Sequence, residues 1–349
     1  MRVLVAMSGG VDSSVAAALL LAGGHEVVGA TMKLWGGSSD TGCCSVADVE
    51  DARRVCQQLG VDHYVFNFTT EFERDVVVPY VEAHKRAMTP NPCISCNAHL
   101  KFDRFLDRAM ALGFDAIATG HHARAVRSAS GAWRLLRGRD TAKDQSYVLY
   151  MLGQRELAHL VLPIGELTKQ RVRDFASEHG LRTATKPDSQ DVCFISRAGG
   201  REGFLGDRMS LHRGRLVAKS GEDVGSVGAL EVVTVGQRRG LGLEGSVRPE
   251  RRYVVHVDLE GRAATLGSIE DLLVREVDIF GASWSFHEPA PGSRVQAQLS
   301  AHGRPVDITW QPGVVHFDEP VRRVAPGQAV VLYETSADGD AVIGGGTAR

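Results

Sequence analysis

The chain has 349 residues, with 40 lysines and arginines against 42 aspartates and glutamates, and 43% of its residues are hydrophobic. A length above ~250 residues exceeds what one core usually holds, so we expect two or three domains, and the near-average composition excludes a disordered or fibrous chain. No apolar run approaches the ~20 residues of a membrane span and the first residues do not form a signal peptide, so we expect a cytoplasmic protein with no membrane partner.

Apolar runs in the first half predict strands that are buried on both faces, because they do not alternate with polar residues. The predicted strands are 2–6, 26–31, 62–67 and 115–119, and the predicted helices are 13–22, 46–59, 100–112 and 169–179. Gly60, Gly113 and Gly180 follow three of these helices where a C-terminal cap is expected, and Thr168 is suited to cap the last one. The alternation predicts an α/β fold with a doubly wound parallel sheet.

Beyond about residue 199 the pattern changes to short β-like runs separated by glycines. These runs are 215–218, 231–235, 253–257, 272–279, 294–299, 306–310, 314–317 and 328–334. Their spacing predicts small all-β domains with a break near residues 267–271. We expect the run Gly344-Gly345-Gly346 to be a frayed tail.

Charge is unevenly distributed along the chain. Residues 197–252 carry 11 basic and 7 acidic side chains, whereas residues 253–349 carry 7 basic and 13 acidic ones. The basic middle segment contains Arg238, Arg239, Arg248, Arg251 and Arg252. A clustered basic face can bind phosphates whatever the total charge.

The strongest local signal is a glycine–serine loop between the first predicted strand and the first predicted helix. Its residues are Ser8-Gly9-Gly10-Val11-Asp12-Ser13-Ser14. Two glycines let the backbone approach a ligand, and N–H groups at a helix N-terminus attract anions, so this loop predicts a phosphate site. A tight turn with a serine cap is the alternative for a Gly-Gly pair alone. The loop lacks the Gly-Lys-Ser/Thr of a Walker loop and the Gly-x-Gly-x-x-Gly of a dinucleotide-binding loop.

Six cysteines are too few for a disulfide scaffold of this size, so we expect thiols, metal ligands or catalysts. Cys93 and Cys96 form a Cys-x-x-Cys pair, but zinc binding would call for a second such pair. An iron–sulfur cluster held by Cys93, Cys96 and Cys193 is the sharper alternative. Cys56 lies on an apolar helical face and is expected in the core. The adjacent Cys43 and Cys44 suggest no role.

Several other positions have two interpretations. His121 follows a predicted strand at the edge of the sheet where ligands bind, although an isolated histidine is usually structural. Asp12 fits either a group that orients Mg²⁺ or a nucleotide, or a helix cap. Met32 is expected in the core, and residues 90–97 are expected to form a mobile loop because they lie outside any periodic segment. The basic stretch Arg134, Arg137 and Arg139 is expected to be a solvated surface.

Several segments together resemble the tRNA-specific 2-thiouridylases of the MnmA family, and the resemblance extends over essentially the whole chain. The glycine–serine loop is similar to the pyrophosphate loop of ATP pyrophosphatases, the superfamily that contains them. The other matching segments are Thr89-Pro90-Asn91-Pro92-Cys93-Ile94-Ser95-Cys96-Asn97, Ala118-Thr119-Gly120-His121, Lys143-Asp144-Gln145-Ser146-Tyr147, Asp188-Ser189-Gln190-Asp191-Val192-Cys193-Phe194-Ile195 and Gly236-Gln237-Arg238-Arg239-Gly240. Some members of the family have an aspartate where this sequence has Cys93.

This resemblance implies an architecture and a reaction. The implied domains are an ATP-pyrophosphatase α/β domain over residues 1–200, a small β-rich domain over 201–268 and a C-terminal β-barrel over 269–349. The implied reaction is ATP-dependent 2-thiolation of the wobble uridine of tRNA, in which ATP and Mg²⁺ adenylate the C2 oxygen and AMP and pyrophosphate are released. The implied partners are tRNA and a sulfur donor, either a cysteine desulfurase or a sulfur-relay protein.

The resemblance also implies residue roles. Cys96 would be the nucleophile and Cys193 the persulfide carrier, with a transient disulfide between them. The implied ATP-binding residues are Ala6, Met7, Ser8, Gly9, Gly10, Val11, Asp12, Ser13, Met32 and Gly120. The implied tRNA-binding residues are His121, Lys143, Asp144, Gln145 and Gln328, and no residue is assigned to a metal. The arginines of the basic middle segment would provide a second RNA contact.

Two other classes of function remain open. A small-molecule ATP pyrophosphatase, amidating or argininosuccinate-forming, would have no use for Cys193. A non-catalytic RNA-binding module would bind tRNA without releasing AMP and pyrophosphate.

Overall fold

The structure, a computed structural model, describes residues 1–35, 46–188, 192–195, 199–242, 252–336 and 338–349. Cys43, Cys44, Arg248 and Arg251 lie outside the described residues. Within these ranges the strands form a five-stranded sheet, a four-stranded sheet and an eight-stranded sheet. No helix of the described part is long and apolar enough to cross a membrane.

The N-terminal sheet confirms the predicted parallel α/β arrangement. Its strands are β1 (Arg2–Ala6), β2 (Glu26–Lys33), β3 (His63–Asn67), β4 (Ala116–Ala118) and β7 (Leu160–Val161). They lie in the order β3-β2-β1-β4-β7 and every pairing is parallel. The prediction that the strands are buried on both faces is wrong for β3. This strand lies at the sheet edge, and its Tyr64 and Val65 side chains are 53% and 49% exposed.

Helices cover both faces of this sheet. They are α1 (Val11–Ala22), α2 (Val46–Leu59), α3 (Thr69–Phe72), α4 (Val78–His84), α5 (Pro92–Cys96), α6 (Phe105–Ala111), α7 (Gln154–Ala158), α8 (Lys169–Glu178) and α9 (Gly200–Gly206). Val3 and Val5 of β1 pack with α1 and α2, whereas Leu4 faces the other side and packs in one cluster with Phe105 of α6. The predicted glycine caps are confirmed, since Gly60, Gly113 and Gly180 have φ values of 70°, 77° and 61°.

The segment around the Cys-x-x-Cys pair is helical, so the expectation of a loop over residues 90–97 is wrong from Pro92 onward. α5, a π-helical segment (Asn97–Arg104) and α6 follow one another without a break. The Asn91 side chain accepts a hydrogen bond from the Cys93 N–H at 3.0 Å, and Pro92 occupies the first helical position. An asparagine cap followed by proline is a typical helix start. The helix was not predicted because the segment lacks apolar periodicity.

The middle sheet has the order β10-β11-β8-β9. Its strands are β8 (Gly214–Ala218), β9 (Asp223–Val227), β10 (Tyr253–Asp258) and β11 (Ala263–Gly267). The predicted strand 231–235 is wrong, because the chain turns there in a 3₁₀ helix (Leu230–Val232). In that turn Glu231 accepts hydrogen bonds from the backbone N–H and the ring Nδ1 of His212, at 3.0 and 2.7 Å.

The last six strands form a closed antiparallel β-barrel. They are β12 (Leu273–Trp284), β13 (Arg294–Gln298), β14 (Val306–Gln311), β15 (Val314–Arg322), β16 (Ala329–Ser336) and β17 (Gly339–Ala348), and β17 pairs back with β12. The expectation of a frayed tail is wrong, because Gly344 and Gly345 lie inside β17. A Cβ at Gly344 would lie 2.2 Å from the Ser283 carbonyl oxygen, and one at Gly345 would lie 2.4 Å from that of Val330. The glycines therefore allow the close approach that closes the barrel.

A hairpin of the N-terminal half, β5 (Ala123–Arg127) and β6 (Trp133–Arg137), extends the barrel sheet, because Leu136 pairs with Ala341 of β17. Sequence patterns did not indicate these strands. The solvated-surface expectation is wrong for Arg134 and Arg137, whose side chains are 14% and 15% exposed and form ion pairs with barrel residues. It is right for Arg139, which is 61% exposed.

Candidate functional site

The glycine–serine loop lies at the carboxyl end of the central strand. Gly9 has a φ of 71°, and a Cβ there would lie 2.3 Å from the Asp48 carbonyl oxygen, so only glycine fits. The hydroxyls of Ser13 and Ser14 donate to the Gly10 carbonyl at 3.1 and 2.8 Å. Gly10 is the N-cap of α1 and provides no side chain for capping. The loop therefore presents backbone N–H groups at a helix N-terminus, as an anion site requires.

This loop sits where the strand order changes direction, between β2 on one side and β4 on the other. Crevices at such points of a parallel sheet are the usual ligand sites. Gly120, just after β4, approaches α1 so closely that a Cβ would lie 2.6 Å from the Asp12 carbonyl carbon and the Ser13 nitrogen. Met32, at the end of β2, is buried at 7% exposure, as expected for a core residue.

Asp12 does not cap α1, since Gly10 occupies that position. Both of its carboxylate oxygens accept hydrogen bonds from the Lys169 ammonium at 2.7 Å, and His122 Nε2 lies 3.3 Å from Oδ1. Burial alone would raise the pKa of Asp12, but the hydrogen bonds from His122 and Lys169 lower it below its ordinary value. Asp12 is therefore an ionised carboxylate held by a nearly buried lysine.

Cys96 and Met32 belong to the main apolar core, which extends from the parallel sheet to β16 and β17, and Cys193 packs against this core. Cys96, at the end of α5, is 7% exposed, and Cys193 is half-buried. Cys93, three residues earlier, is exposed. Cys56 is in the core as predicted, and burial raises the pKa of its thiol to about 11. Among the described residues, no group of three His, Cys, Asp or Glu side chains is placed to bind a metal ion.

Cys193 is followed by an aromatic anchor. The ring of Phe194 is 5% exposed and lies among four aromatic rings, with centroid distances of 4.9, 5.5, 5.6 and 6.5 Å to Phe204, Phe72, Tyr80 and Trp35. Aromatic pairs at such distances add to the burial energy of each ring. The position of Phe194 therefore fixes one side of the Cys193 backbone.

The residues assigned to tRNA by resemblance differ in exposure. His121 is 9% exposed and lies 2.7 Å from the Thr119 hydroxyl, and burial lowers its pKa well below the ordinary value. The Asp144 carboxylate accepts from the N–H groups of Gly138 and Ser146 at 3.0 and 3.1 Å. Lys143 has a side chain that is 41% exposed. The set therefore contains one accessible cation and several groups that organise the local backbone.

Two of those residues hold neighbouring segments in place. The Gln145 side chain accepts a hydrogen bond from the His122 N–H at 2.9 Å. Gln328, in the turn before β16, donates to the Thr89 carbonyl at 2.6 Å, and the Thr89 N–H donates to the Pro326 carbonyl at 2.7 Å. The barrel is thus hydrogen-bonded to the segment that enters the helix of Cys96.

The structure adds Lys169, Lys186 and a role for Asp188 to the predicted site residues. Lys169 is the first residue of α8 and donates to Asp12 and Asp188, and Lys186 donates to the Gly9 carbonyl at 3.0 Å. One signal was present, since a cation in the first turn of a helix opposes the helix dipole and calls for a compensating anion. The partners of these lysines could not be read from spacing, because they come from distant segments.

Two family models match the chain. Residues 1–197 match a model described as tRNA methyl transferase HUP domain, and residues 278–348 match one described as aminomethyltransferase beta-barrel domain. A tRNA-specific 2-thiouridylase MnmA of Chloroflexus aggregans is 46% identical, with 99% of this chain and 97% of that protein covered. The corresponding protein of Mycobacteroides abscessus is 43% identical, with 99% and 98% covered. Among solved structures, a 4-thiouridine synthetase in complex with RNA and ATP has 18% identity and a TM-score of 0.33, and the match covers 55% of this chain and 44% of that one.

Proposed function

Because the chain belongs to the MnmA family of tRNA-specific 2-thiouridylases, we propose that it thiolates the wobble uridine of tRNA by a persulfide on Cys193 and a resolving thiol on Cys96. The observation that supports this assignment of thiols is the match of two cysteine-bearing segments, residues 89–97 and 188–195, to those of the family. Both cysteines border one extended apolar core, with Cys96 inside it and Cys193 packed against it. Met32, at the end of β2, belongs to that core as well.

The first step activates the base. The C2 carbonyl oxygen of uridine attacks the α-phosphorus of ATP, and pyrophosphate leaves. The glycine–serine loop and the N-terminus of α1 would hold the phosphates. Asp12 is the loop carboxylate, but both its oxygens already accept hydrogen bonds from Lys169. An ionised carboxylate has about four lone-pair sites and the hydrogen bonds from Lys169 and His122 use three of them, so Asp12 would still have one site for Mg²⁺ that arrives with ATP.

Sulfur transfer follows in two bond exchanges. The terminal sulfur of the Cys193 persulfide attacks C2, AMP leaves, and a C2–S–S–Cys193 adduct forms. The Cys96 thiolate then attacks the Cys193 sulfur, which breaks the adduct S–S bond, leaves 2-thiouridine and joins the two cysteines as a disulfide. An external thiol must reduce that disulfide before the donor reloads Cys193. Hydrolysis of the adenylate competes with thiolation, so the reaction requires that water be excluded while the base is activated.

We propose Lys143 as a direct phosphate contact, because its ammonium is the exposed cation of the set assigned to tRNA. Arg238 and Arg239 are exposed beside the middle sheet and would add a second contact. His121, Asp144, Gln145 and Gln328 would shape the RNA-facing surface through the hydrogen bonds described above.

An assay with unmodified tRNA, ATP, Mg²⁺ and a persulfide-loading donor tests the function. We expect 2-thiouridine by nucleoside mass spectrometry, with one AMP and one pyrophosphate released for each base thiolated. A tRNA with cytidine at the wobble position is the control and should give neither product. Release of AMP with a small acceptor and no tRNA would indicate a small-molecule pyrophosphatase, and tight tRNA binding with no AMP would indicate a binding module.

Gly120→Ala should weaken ATP binding at least ~10-fold, which corresponds to ~1.4 kcal/mol. The added methyl would lie 2.6 Å from backbone atoms of Asp12 and Ser13, so the N-terminus of α1 must move away from β4. Calorimetric titration with ATP measures the effect. Gly203→Ala is a matched control, because a Cβ at Gly203 meets nothing within 4 Å. Unchanged ATP affinity in Gly120→Ala would place the nucleotide elsewhere.

A further inference from the structure

Lys186 holds one carbonyl group of the glycine–serine loop, although it lies far from the loop in sequence. Its ammonium donates to the Gly9 carbonyl oxygen at 3.0 Å and to the carboxylates of Asp48 and Asp51, at 2.7 and 2.8 Å. An ammonium has three N–H groups, so these three acceptors use all of its donors. Both aspartates belong to α2. Lys186 therefore fastens Gly9 to the N-terminal part of that helix.

The two aspartates keep Lys186 charged and in place. Burial alone would lower the pKa of Lys186, but its hydrogen bonds to Asp48 and Asp51 raise it above its ordinary value. The Lys186 side chain is 29% exposed, and those of Asp48 and Asp51 are 19% and 26% exposed. Lys186 is therefore an ammonium ion at neutral pH whose position is set by two partly buried carboxylates.

The peptide group that contains the Gly9 carbonyl also contains the N–H of Gly10. In a planar trans peptide the C=O and N–H bonds point in opposite directions, so a Gly9 carbonyl turned toward Lys186 turns the Gly10 N–H away from it. No protein group in the described part of the chain accepts a hydrogen bond from this N–H. Gly10 is half-buried and is the N-cap of α1. Its N–H is therefore available to an anion at the helix N-terminus.

A peptide between two glycines needs a restraint from outside. Glycine adopts positive and negative φ about equally well, so the Gly9–Gly10 peptide can turn over at low steric cost. In the turned state its carbonyl oxygen would replace the N–H and would repel a phosphate. The hydrogen bond from Lys186 to the Gly9 carbonyl is broken in that state. This bond therefore favours the orientation that binds anions.

We propose that Lys186 sets the affinity of the glycine–serine loop for the phosphates of ATP, by holding the Gly9 carbonyl so that the Gly10 N–H faces a phosphate oxygen. The inference rests on the proposed function, because the anion is the triphosphate of ATP in this loop. Lys186 is a positioning residue that acts through the Gly9–Gly10 peptide. It does not bind the phosphate itself, because all three of its donors are in use.

One NMR signal reports both hydrogen bonds of this peptide. When only glycine is labelled, with ¹³C at the carbonyl and ¹⁵N at the amide, a carbonyl–amide correlation spectrum shows Gly-Gly peptides alone. The chain has six of them, at 9–10, 23–24, 36–37, 199–200, 344–345 and 345–346. Gly10→Ala identifies the 9–10 signal by its loss, since a Cβ at Gly10 meets only the Ser8 hydroxyl, at 3.5 Å.

Titration of the native chain with ATP and Mg²⁺ is the first test. We expect the Gly10 amide proton to move downfield, because it gains a hydrogen bond to a charged oxygen. Calorimetry on the same sample establishes that the chain is saturated with ATP. A Gly10 proton that stays in place at saturation overturns the inference without any variant.

Lys186→Met removes the restraint and is the second test. The carbonyl carbon of the 9–10 signal should move upfield without ligand, and the Gly10 proton should lose its response to ATP. The dissociation constant for ATP should rise about tenfold, which corresponds to ~1.4 kcal/mol. Native positions of the 23–24 and 199–200 signals show that the variant is folded.

Arg182→Met is the matched control for charge. It removes an equal positive charge, 3.6 Å from Asp51, and keeps the bond from Lys186 to Gly9. We expect native ATP affinity and a native response of the Gly10 proton. Equal losses of ATP affinity in the two variants would assign the effect to charge alone and refute the positioning role, as would a native response in Lys186→Met.

The thiolation assay separates this result from the proposed chemistry. If the native chain makes no 2-thiouridine, the proposed function fails whatever the NMR spectra show. If the native chain makes 2-thiouridine while Lys186→Met binds ATP with native affinity, the inference about Lys186 alone fails.

Discussion

Replacing either Cys193 or Cys96 by serine is expected to reduce 2-thiouridine formation by roughly 10³-fold or more, the scale on which removal of a nucleophile acts. The two variants should stop at different stages. Cys193→Ser has no persulfide, so it should adenylate tRNA without thiolating it. Cys96→Ser should transfer sulfur to C2 but fail to resolve the adduct, because no thiol attacks the Cys193 sulfur.

The trapped adduct of Cys96→Ser is directly measurable. After loading with sulfur and addition of tRNA and ATP, the protein should migrate with tRNA on a non-reducing denaturing gel and separate from it after dithiothreitol. Cys93→Ser is the matched control, because Cys93 lies on the same helical turn but is exposed. We expect it to keep activity. An inactive Cys93→Ser together with bound iron in the native chain would favour the iron–sulfur alternative, and a reductant-stable or absent adduct would refute the resolving role of Cys96.

Arg137→Met is expected to destabilise the junction between the hairpin and the barrel by about 3–5 kcal/mol, since it leaves a buried carboxylate unpaired. Arg137 donates to Asp144 at 2.8 Å and to Gln298 at 2.7 Å, and its guanidinium carbon lies 3.6 Å from the centroid of the Tyr333 ring. The Asp144 side chain is only 6% exposed. Hydrogen exchange of β6 and β17 measures the free energy of local opening.

Two controls separate this effect from a general loss of charge. Arg139→Met removes an arginine that is 61% exposed and should change exchange by less than about 0.5 kcal/mol. Adding Asp144→Asn to Arg137→Met should restore part of the loss, because no carboxylate then stays buried without a cation. An Arg137→Met protein with native exchange in β6 and β17 would contradict the structural role of this arginine.

The sequence was sufficient for four of the five parallel strands, which are apolar runs, but not for the short strand β7 (Leu160–Val161). It was insufficient for β17, because the run Gly344 to Gly346 has no strand propensity of its own and is extended only through pairing with β12 and β16. The hairpin of β5 and β6 was not predicted for a similar reason. Its arginines are typical of an exposed surface, and their ion-pair partners Glu334 and Asp340 lie in the barrel.

The candidate site was partly readable. The glycine–serine loop was recognisable from its composition and from its position between a predicted strand and a predicted helix. The roles of the two cysteines came only from the family resemblance. The ionic connections from Lys169 and Lys186 join segments that are more than a hundred residues apart, so no local pattern contains them. The helix of Cys96 could have been found, because Asn91 and Pro92 are a recognised helix start.

The pairing of β6 with β17 has a consequence for synthesis on the ribosome. Arg134 of β6 forms an ion pair with Glu334, which is synthesised 200 residues later. At ~5–20 residues per second the nascent hairpin waits roughly 10–40 s with one edge unpaired. During that interval the edge is open to pairing with other nascent chains, and its charged side chains Arg134 and Arg137 oppose such aggregation until β17 emerges.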